Sequence, residues 1–281
     1  MSAILPTVAQ ALQQGLKAGL DRIDAQWLLL HAAAPAGADR AWLISHDHER
    51  LTPSQTERWA SHMARRLAGE PVAYIRGHKA FYGLDLQVDA RVLDPRPDTE
   101  VLVDWALELL PPGTPACVLD LGTGSGAIAL ALASQRPGLA MTATDASEAA
   151  LAVARQNAER LALPLRLAAG RWFEAVPEQR FHLAVSNPPY IAEGDPHLPA
   201  LRHEPISALT AGPDGLDDIR TLVAQAPHHL HPGGWLLLEH GHDQASAVQD
   251  LLHQAGFADV SSRTDLAGIA RCTGGRWPAA R

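Results

Sequence analysis

Val118-Leu119-Asp120-Leu121-Gly122-Thr123-Gly124-Ser125-Gly126 runs from an apolar strand into a glycine turn, and the Ala-, Ile- and Leu-rich residues that follow read as a helix. A strand that ends in glycines and turns straight into a helix lets backbone approach a ligand closely, because no Cβ intervenes. The unit therefore predicts an α/β fold with a ligand at the turn. The spacing is Gly-x-Gly-x-Gly, where a dinucleotide fingerprint needs Gly-x-Gly-x-x-Gly, and Asp120 stands two positions ahead of the first glycine. A carboxylate there repels a pyrophosphate and attracts an ammonium group. The spacing and the acid together disfavour a nicotinamide-dependent oxidoreductase. They suit the methionine part of S-adenosylmethionine, with Asp120, Gly122, Thr123, Gly124, Ser125 and Gly126 as its contacts.

Outward from this turn, short apolar runs alternate with amphipathic stretches, as βαβ units on a parallel sheet require. Expected strands are Cys117 to Leu121, Ala140 to Thr144, Leu165 to Ala168, Phe181 to Ser186, Trp235 to Glu239 and Ala258 to Ser262. Asp145 ends the strand after the turn, where an acid can accept hydrogen bonds from both hydroxyls of a ribose. Trp172 and Phe173 follow the third strand and are candidates to stack on an adenine ring.

The strand from Phe181 to Ser186 ends in Asn187-Pro188-Pro189-Tyr190, at the carboxyl edge of the sheet where open α/β folds bind ligands. The two prolines stiffen the turn and leave carbonyl acceptors without N–H donors. A planar NH2 group has a delocalised lone pair and attacks a methyl sulfonium poorly, unless both hydrogens are held while the lone pair faces the methyl. The Asn187 side-chain oxygen and the Pro188 carbonyl can accept those hydrogens, and Tyr190 can cover the planar face. Asn187, Pro188 and Tyr190 are the expected catalytic residues, and Asn187 to Tyr190 the expected acceptor site. The chemistry is orientation and electrostatics and needs neither metal nor covalent nucleophile.

Towards the N-terminus the pattern is helical. Val8, Leu12, Leu16 and Leu20 recur at helical spacing. Thr52-Pro53-Ser54-Gln55 forms a capping box ahead of a helix with Trp59, Met63 and Leu67 on one face. From Phe81 to Leu93 the pattern alternates, with Leu84, Leu86 and Val88 separated from Val92 by Asp89-Ala90, so a hairpin reversing at Asp89-Ala90 is expected. Residues 1–75 then form a helical domain, 76–95 a hairpin linker and 96–281 the α/β domain. Arg96, Asp98 and Glu100 are read either as the start of the next helix, with Asp98 capping it and Glu100 at the positive end of its dipole, or as contacts to cofactor or substrate. Gly212 to Asp218 reads as a surface loop.

Composition narrows the function. The chain has 281 residues, 47% of them hydrophobic, and a formal charge of -8, with Lys17 and Lys79 as its only lysines. No global positive field gathers phosphate backbones, which weighs against direct binding of nucleic acid. Cys117 and Cys272 lie in or beside apolar runs and are read as reduced core residues. No apolar run approaches a membrane span, so a cytoplasmic protein is expected. The fourteen histidines, including His46 with His48, His228 and His229 with His231, and His240 with His242, lack a ligand-spaced cysteine or carboxylate cluster. They are read as solvated loop and helix-end residues, with no metal site.

These motifs resemble the HemK/PrmC family, protein-(glutamine-N5) methyltransferases of peptide chain release factors. The anchors are Pro95-Arg96-Pro97-Asp98-Thr99-Glu100, the turn from Asp120, Asn187 to Tyr190, and Glu204-Pro205 followed by Ala208-Leu209. The resemblance covers nearly the whole chain. It implies a Rossmann-like, seven-stranded class I methyltransferase domain, with a small N-terminal helical domain that helps to dock the release factor and is joined by a β-hairpin. It further implies cofactor contacts at Gly122 through Gly126, Asp145, Trp172 and Asn187; separately, a monomer is expected. The chain departs from the common family pattern at Asp94 and around Ala267 to Arg271. Methylation of an exocyclic amine such as adenine N6 is the nearest rival, since the same acceptor motif serves it, and the acidic balance argues against it. A glutamine methyltransferase of a ribosomal protein and a non-catalytic binding module are further alternatives.

Overall fold

The computed structural model describes residues 5–279, which fall into two compact units. One runs up to His78 and includes Ala200–His203, and the other comprises Lys79–Pro199 and the chain from Glu204.

The smaller unit is helical: α1 Val8–Lys17, α2 Arg22–Ala33, α3 Arg40–Ser45, α4 Pro53–Leu67 and α5 Val72–Arg76. Two capping boxes start helices. Thr7 and Gln10 close one on α1, and Thr52 and Gln55 close the expected one on α4, with Pro53 at the first position. Val8, Ala11, Leu28, Leu29, Trp59 and Ile75 pack into its core. The apolar spacing from Val8 to Leu20 overruns its helix, because α1 ends at Lys17 and Gly19 reverses the chain at φ +101°. Leu20 is buried from the connecting turn, whereas Leu67, on the expected face of α4, is half exposed.

The larger unit begins at Lys79, within β1 His78–Phe81, which forms a hairpin with β2 Leu84–Gln87. Its turn is Tyr82-Gly83, both left-handed at φ 47° and 77°, the geometry that suits a tight two-residue hairpin. The reversal expected at Asp89-Ala90 is therefore misplaced: Asp89 instead accepts hydrogen bonds from the Arg91 backbone and guanidinium. A short 3-10 turn, Pro97–Thr99, leads into α6 Glu100–Leu109. The remaining elements are β3 Cys117–Leu121, α7 Ala127–Gln135, β4 Ala140–Asp145, α8 Glu148–Leu161, β5 Arg166–Ala169, β6 Phe181–Ser186, α9 Asp217–His229, β7 Leu230–Glu239, α10 Ala245–Gln254, β8 Ala258–Thr264 and β9 Ala270–Arg276.

Seven strands form one sheet in the order β5-β4-β3-β6-β7-β9-β8, with β9 antiparallel to both neighbours and the other pairs parallel. This is the Rossmann-like methyltransferase topology that the family resemblance implies. The order reverses between β3 and β6, so the carboxyl ends of β3, β4 and β6 open on one crevice, the switch point where such sheets bind ligands. Strand β9 escapes the sequence reading because Gly274-Gly275 has little strand propensity. Its packing requires that composition: a Cβ on Gly274 would lie 2.4 Å from Leu237 and 2.9 Å from the Trp105 ring.

Candidate active site

The turn after β3 is built as its glycines suggest. Gly122 and Gly124 sit at φ 70° and 56°, a region that residues with a Cβ adopt only under strain. A Cβ on Gly122 would stand 3.0 Å from the Trp172 ring, whereas one on Gly124 would meet nothing within 4 Å. Gly124 thus serves its backbone angle and leaves an open face. That face belongs to a cavity of about 410 Å³ whose wall includes Thr99, Gly122 through Ser125, Asp145, Trp172, Asn187 and Pro189.

Both carboxylate oxygens of Asp145 are engaged from the protein side. Oδ2 accepts the Gly124 amide at 2.9 Å and Oδ1 the Ser147 amide at 2.8 Å. Each keeps a second acceptor site in the wall of the cavity. Burial raises this carboxyl above its ordinary range, and the two amides oppose the rise.

Asp120 departs from expectation. It is fully buried beneath the turn rather than in the cavity wall, and its Oδ2 accepts the Thr123 hydroxyl at 2.6 Å and the Ala129 amide at 3.2 Å. Its reach is spent on clamping the turn to the start of α7, so it presents no charge directly to a ligand. Burial pushes the carboxyl up to about 7, and Oδ1 has no partner. Phe173 is also corrected: it packs into the core and stacks on His229 at 4.6 Å, while Trp172 alone of the pair reaches the cavity.

The acceptor motif follows β6. Asn187 donates from Nδ2 to the Thr99 hydroxyl at 3.3 Å, and Pro189 forms part of the wall. Pro188 is buried. Tyr190 is largely buried beside Glu239, and burial followed by the nearby carboxyl raises its phenol. The Tyr190 carbonyl accepts from Gln244 at 3.0 Å, and a Cβ on Gly215 would lie 2.2 Å from that oxygen. The 212–218 stretch is therefore no free surface loop: it supports the acceptor motif, and Asp218 lines the cavity.

Asp98 does not cap α6. It pairs with Arg271 at 3.1 Å, and no side chain caps that helix. Glu100 occupies the first turn, with Oε1 accepting the Tyr82 amide at 2.9 Å. Among the histidines, His62 and His240 are not solvated: His62 is buried on α4 against the Leu28 carbonyl at 3.3 Å, and His240 is fully buried and shares a 2.7 Å hydrogen bond with Thr273. Cys272 is buried and Cys117 half-buried, both as free thiols.

Residues 7–77 match the PrmC N-terminal domain and residues 99–207 the Methyltransferase small domain. The release factor glutamine methyltransferase of Burkholderia pseudomallei is 48% identical over 99% of this chain and 100% of its own. The chain belongs to the release factor glutamine methyltransferase family. The family member of Pseudomonas aeruginosa is 52% identical, over 91% of this chain and 92% of its own. A methyltransferase of Pyrococcus furiosus, 23% identical, shares the fold, with a TM-score of 0.56 over 79% of this chain and 100% of its own.

In this glutamine methyltransferase family member, three groups of side chains brace the site, and of these Asn157 and Glu239 were not singled out from the sequence. Asn157, on α8 and wholly buried, receives the Gln87 amide at 2.7 Å and donates to the carbonyls of Gln87 at 3.0 Å and Ser125 at 2.9 Å. Hairpin and glycine turn are tied through that one amide. Glu204 accepts Arg96 at 2.5 Å and the Asp94 backbone at 3.2 Å, so two motif segments are clipped together. Asp94 is buried and pairs with Lys79 at 3.1 Å. Thr99 and Glu239 complete the set beside Asn187 and Tyr190. The two motif segments were legible as segments, but Asn157 and Glu239 carried no signal beyond polar residues in apolar surroundings.

Proposed function

We propose that the chain transfers a methyl group from S-adenosylmethionine to the side-chain amide nitrogen, N5, of the glutamine in the Gly-Gly-Gln motif of peptide chain release factors, leaving S-adenosylhomocysteine. The observation that carries this reading is Asn187, which stands in the cavity wall with its NH2 turned to Thr99. Its carbonyl oxygen is thereby left to accept a hydrogen from a planar amide.

The site suits this cofactor. The open face at Gly124 admits a ligand against backbone, Asp145 offers two oxygens for ribose hydroxyls, and the Trp172 ring is a flat neighbour for a nucleoside. When bound, S-adenosylmethionine supplies an electrophilic methyl on a sulfonium. Gly122 to Ser125, Asp145 and Trp172 would hold it, whereas Gly126, expected to join them, lies outside the cavity wall and packs against Leu130 and Ala154. Asn187 and the Pro188 carbonyl orient the glutamine NH2, hold its two hydrogens and stabilise the positive charge that grows on nitrogen. Tyr190, expected to cover the flat amide, lies outside the cavity wall beside Glu239, and its phenol stays protonated because burial disfavours the phenolate. The nitrogen then gives up one proton to solvent, which leaves a neutral N-methyl amide. The acidic balance of the chain supports a protein substrate over nucleic acid, and we place the enzyme in the cytoplasm as a monomer.

The test is to incubate the protein with unmethylated release factor and methyl-labelled S-adenosylmethionine and to map the label by mass spectrometry. One added methyl on the Gly-Gly-Gln glutamine is expected. No label, or label confined to other residues, overturns the reading.

A further inference from the structure

We propose that Ile206, Leu266 and Ile269 form a docking surface for the release factor on the larger unit, next to the acceptor motif. The proposal deepens the functional reading above and rests on it. Two of the three residues in a Gly-Gly-Gln segment have no side chain, so the segment itself gives an enzyme little to hold. Affinity for the whole substrate then has to come from surface around the site, through parts of the substrate that do not react.

Apolar side chains scattered singly over a surface are ordinary. These three are not scattered. Among the described residues of the larger unit they are the exposed large apolar side chains, at 60%, 109% and 38%, and they stand on two segments. Ile206 begins the 3-10 turn Ile206–Ala208, and Pro205, Ser207 and Ala208 around it line the cavity. Ile191, the residue after the acceptor motif, donates to the Leu209 carbonyl at 2.9 Å and accepts the Ala211 amide at 3.0 Å, which stitches that turn to the motif. Leu266 and Ile269 belong to the tip between β8 and β9. Strand β7 pairs Leu238 with Ser186 and Glu239 with Cys272, so the start of β9 lies level with Asn187, and the tip continues past the sheet edge that carries it.

One motif ties both segments down. Arg96 pairs with Glu204 at 2.5 Å, just ahead of Ile206, and Asp98 pairs with Arg271 at 3.1 Å, just after Ile269. Within the tip, Asp265 accepts the amides of Ala267 at 2.9 Å and Ile269 at 3.0 Å, and the Arg271 guanidinium at 2.9 Å. Residues 95–100 thus hold two apolar points in place beside the site, and a surface fixed before contact loses little freedom on binding. Continuity with the cavity wall selects as occupant the protein whose glutamine enters that cavity, over a second copy of this chain.

The test uses the full chain carrying Ile206→Ser and Leu266→Ser together, at two exposed positions outside the core. It measures the Kd of unmethylated release factor in the presence of S-adenosylhomocysteine, the Kd of S-adenosylmethionine, and kcat at saturating release factor. The release factor Kd is expected to rise at least about tenfold, a modest share of what two buried aliphatic side chains contribute. Cofactor Kd and kcat are expected to stay within about twofold of wild type. Asp265→Ala keeps the apolar side chains but unties the tip, and should raise the release factor Kd by about threefold or more. A release factor Kd within about twofold of wild type in the double variant overturns the docking surface, and so does an equal loss of cofactor affinity, the sign of a damaged site. An Asp265→Ala variant that binds like wild type overturns the bracing. A wild type that sediments as a dimer and a double variant that sediments as a monomer would assign the surface to a second copy and overturn the proposal. Failure of the wild type to methylate release factor overturns the functional reading, whereas methylation by a wild type whose release factor Kd the double variant matches overturns the docking surface alone.

Discussion

Asp145 accepts the backbone N–H of Gly124 at 2.9 Å, so the acid ending β4 holds the middle glycine of the turn that follows β3. The same carboxylate therefore shapes the backbone cradle and forms part of the wall that a ribose would touch. Asp145→Ala removes a charge-assisted acceptor from both tasks. Cofactor Kd is expected to rise by about 10- to 100-fold, corresponding to about 1.5–3 kcal/mol. Asp145→Asn, which keeps one oxygen, should fall between. Calorimetric titration with S-adenosylmethionine checks this, and an Ala variant that binds as tightly as wild type would remove Asp145 from the site.

Asn187→Ala separates binding from turnover. On the proposed reading the side chain acts on the acceptor amide as charge develops, so its loss should appear in kcat, by about 10²- to 10³-fold, while cofactor Kd stays nearly constant. Single-turnover methylation of release factor is the appropriate measurement. A variant with unchanged turnover contradicts the orienting role.

The centre of the sheet was readable because β3 and β6 are buried on both faces, so that their apolar runs coincide with the strands. Strand β9 was not, since Gly274 answers to Leu237 on the neighbouring strand and Trp105 on α6, and Gly275 to Phe257 and Val260, and not to any local propensity. The hairpin turn was missed because Tyr82 adopts a left-handed conformation that tyrosine seldom takes. Asp120 was recognisable as the acid of the turn, but spacing does not reveal on which side of the backbone a carboxylate lies, and burial beneath the turn decides its work. Thr99 and Asn187 are far apart in the chain and meet only in the fold.

Two buried carboxyls make stability depend on pH in an unusual direction. Burial raises Glu239 from 4.5 to about 7 and Asp120 from 3.8 to about 7. A folded-state pKa above the unfolded value means that the native state holds the proton more tightly. The corresponding stabilisation is complete below about pH 4 and is lost as pH rises through about 7. Glu239→Gln abolishes one of the two contributions. Urea unfolding between pH 5 and 8 should show the wild type losing ground to this variant as pH rises, by on the order of 2–3 kcal/mol at the upper end. Parallel stability curves for the two proteins would show that Glu239 titrates normally.

Asn157 gives the sharpest structural test, because one buried amide satisfies backbone groups in two separate segments. Asn157→Ala leaves the Gln87 amide and two carbonyls, of Gln87 and Ser125, without the partners they have at 2.7, 3.0 and 2.9 Å. Each unsatisfied buried group costs about 1–3 kcal/mol, and water entering the space left behind recovers part of it. A net loss of about 2–4 kcal/mol in urea unfolding is expected. Since Ser125 belongs to the glycine turn, its carbonyl should also lose its fixed position, and S-adenosylmethionine should bind more weakly at temperatures where the variant is still folded. Asn157→Asp should be worse, since it turns a carboxylate oxygen towards two carbonyl oxygens and supplies no donor. Stability within about 0.5 kcal/mol of wild type in the Ala variant would mean that the hairpin and the turn are held by other contacts.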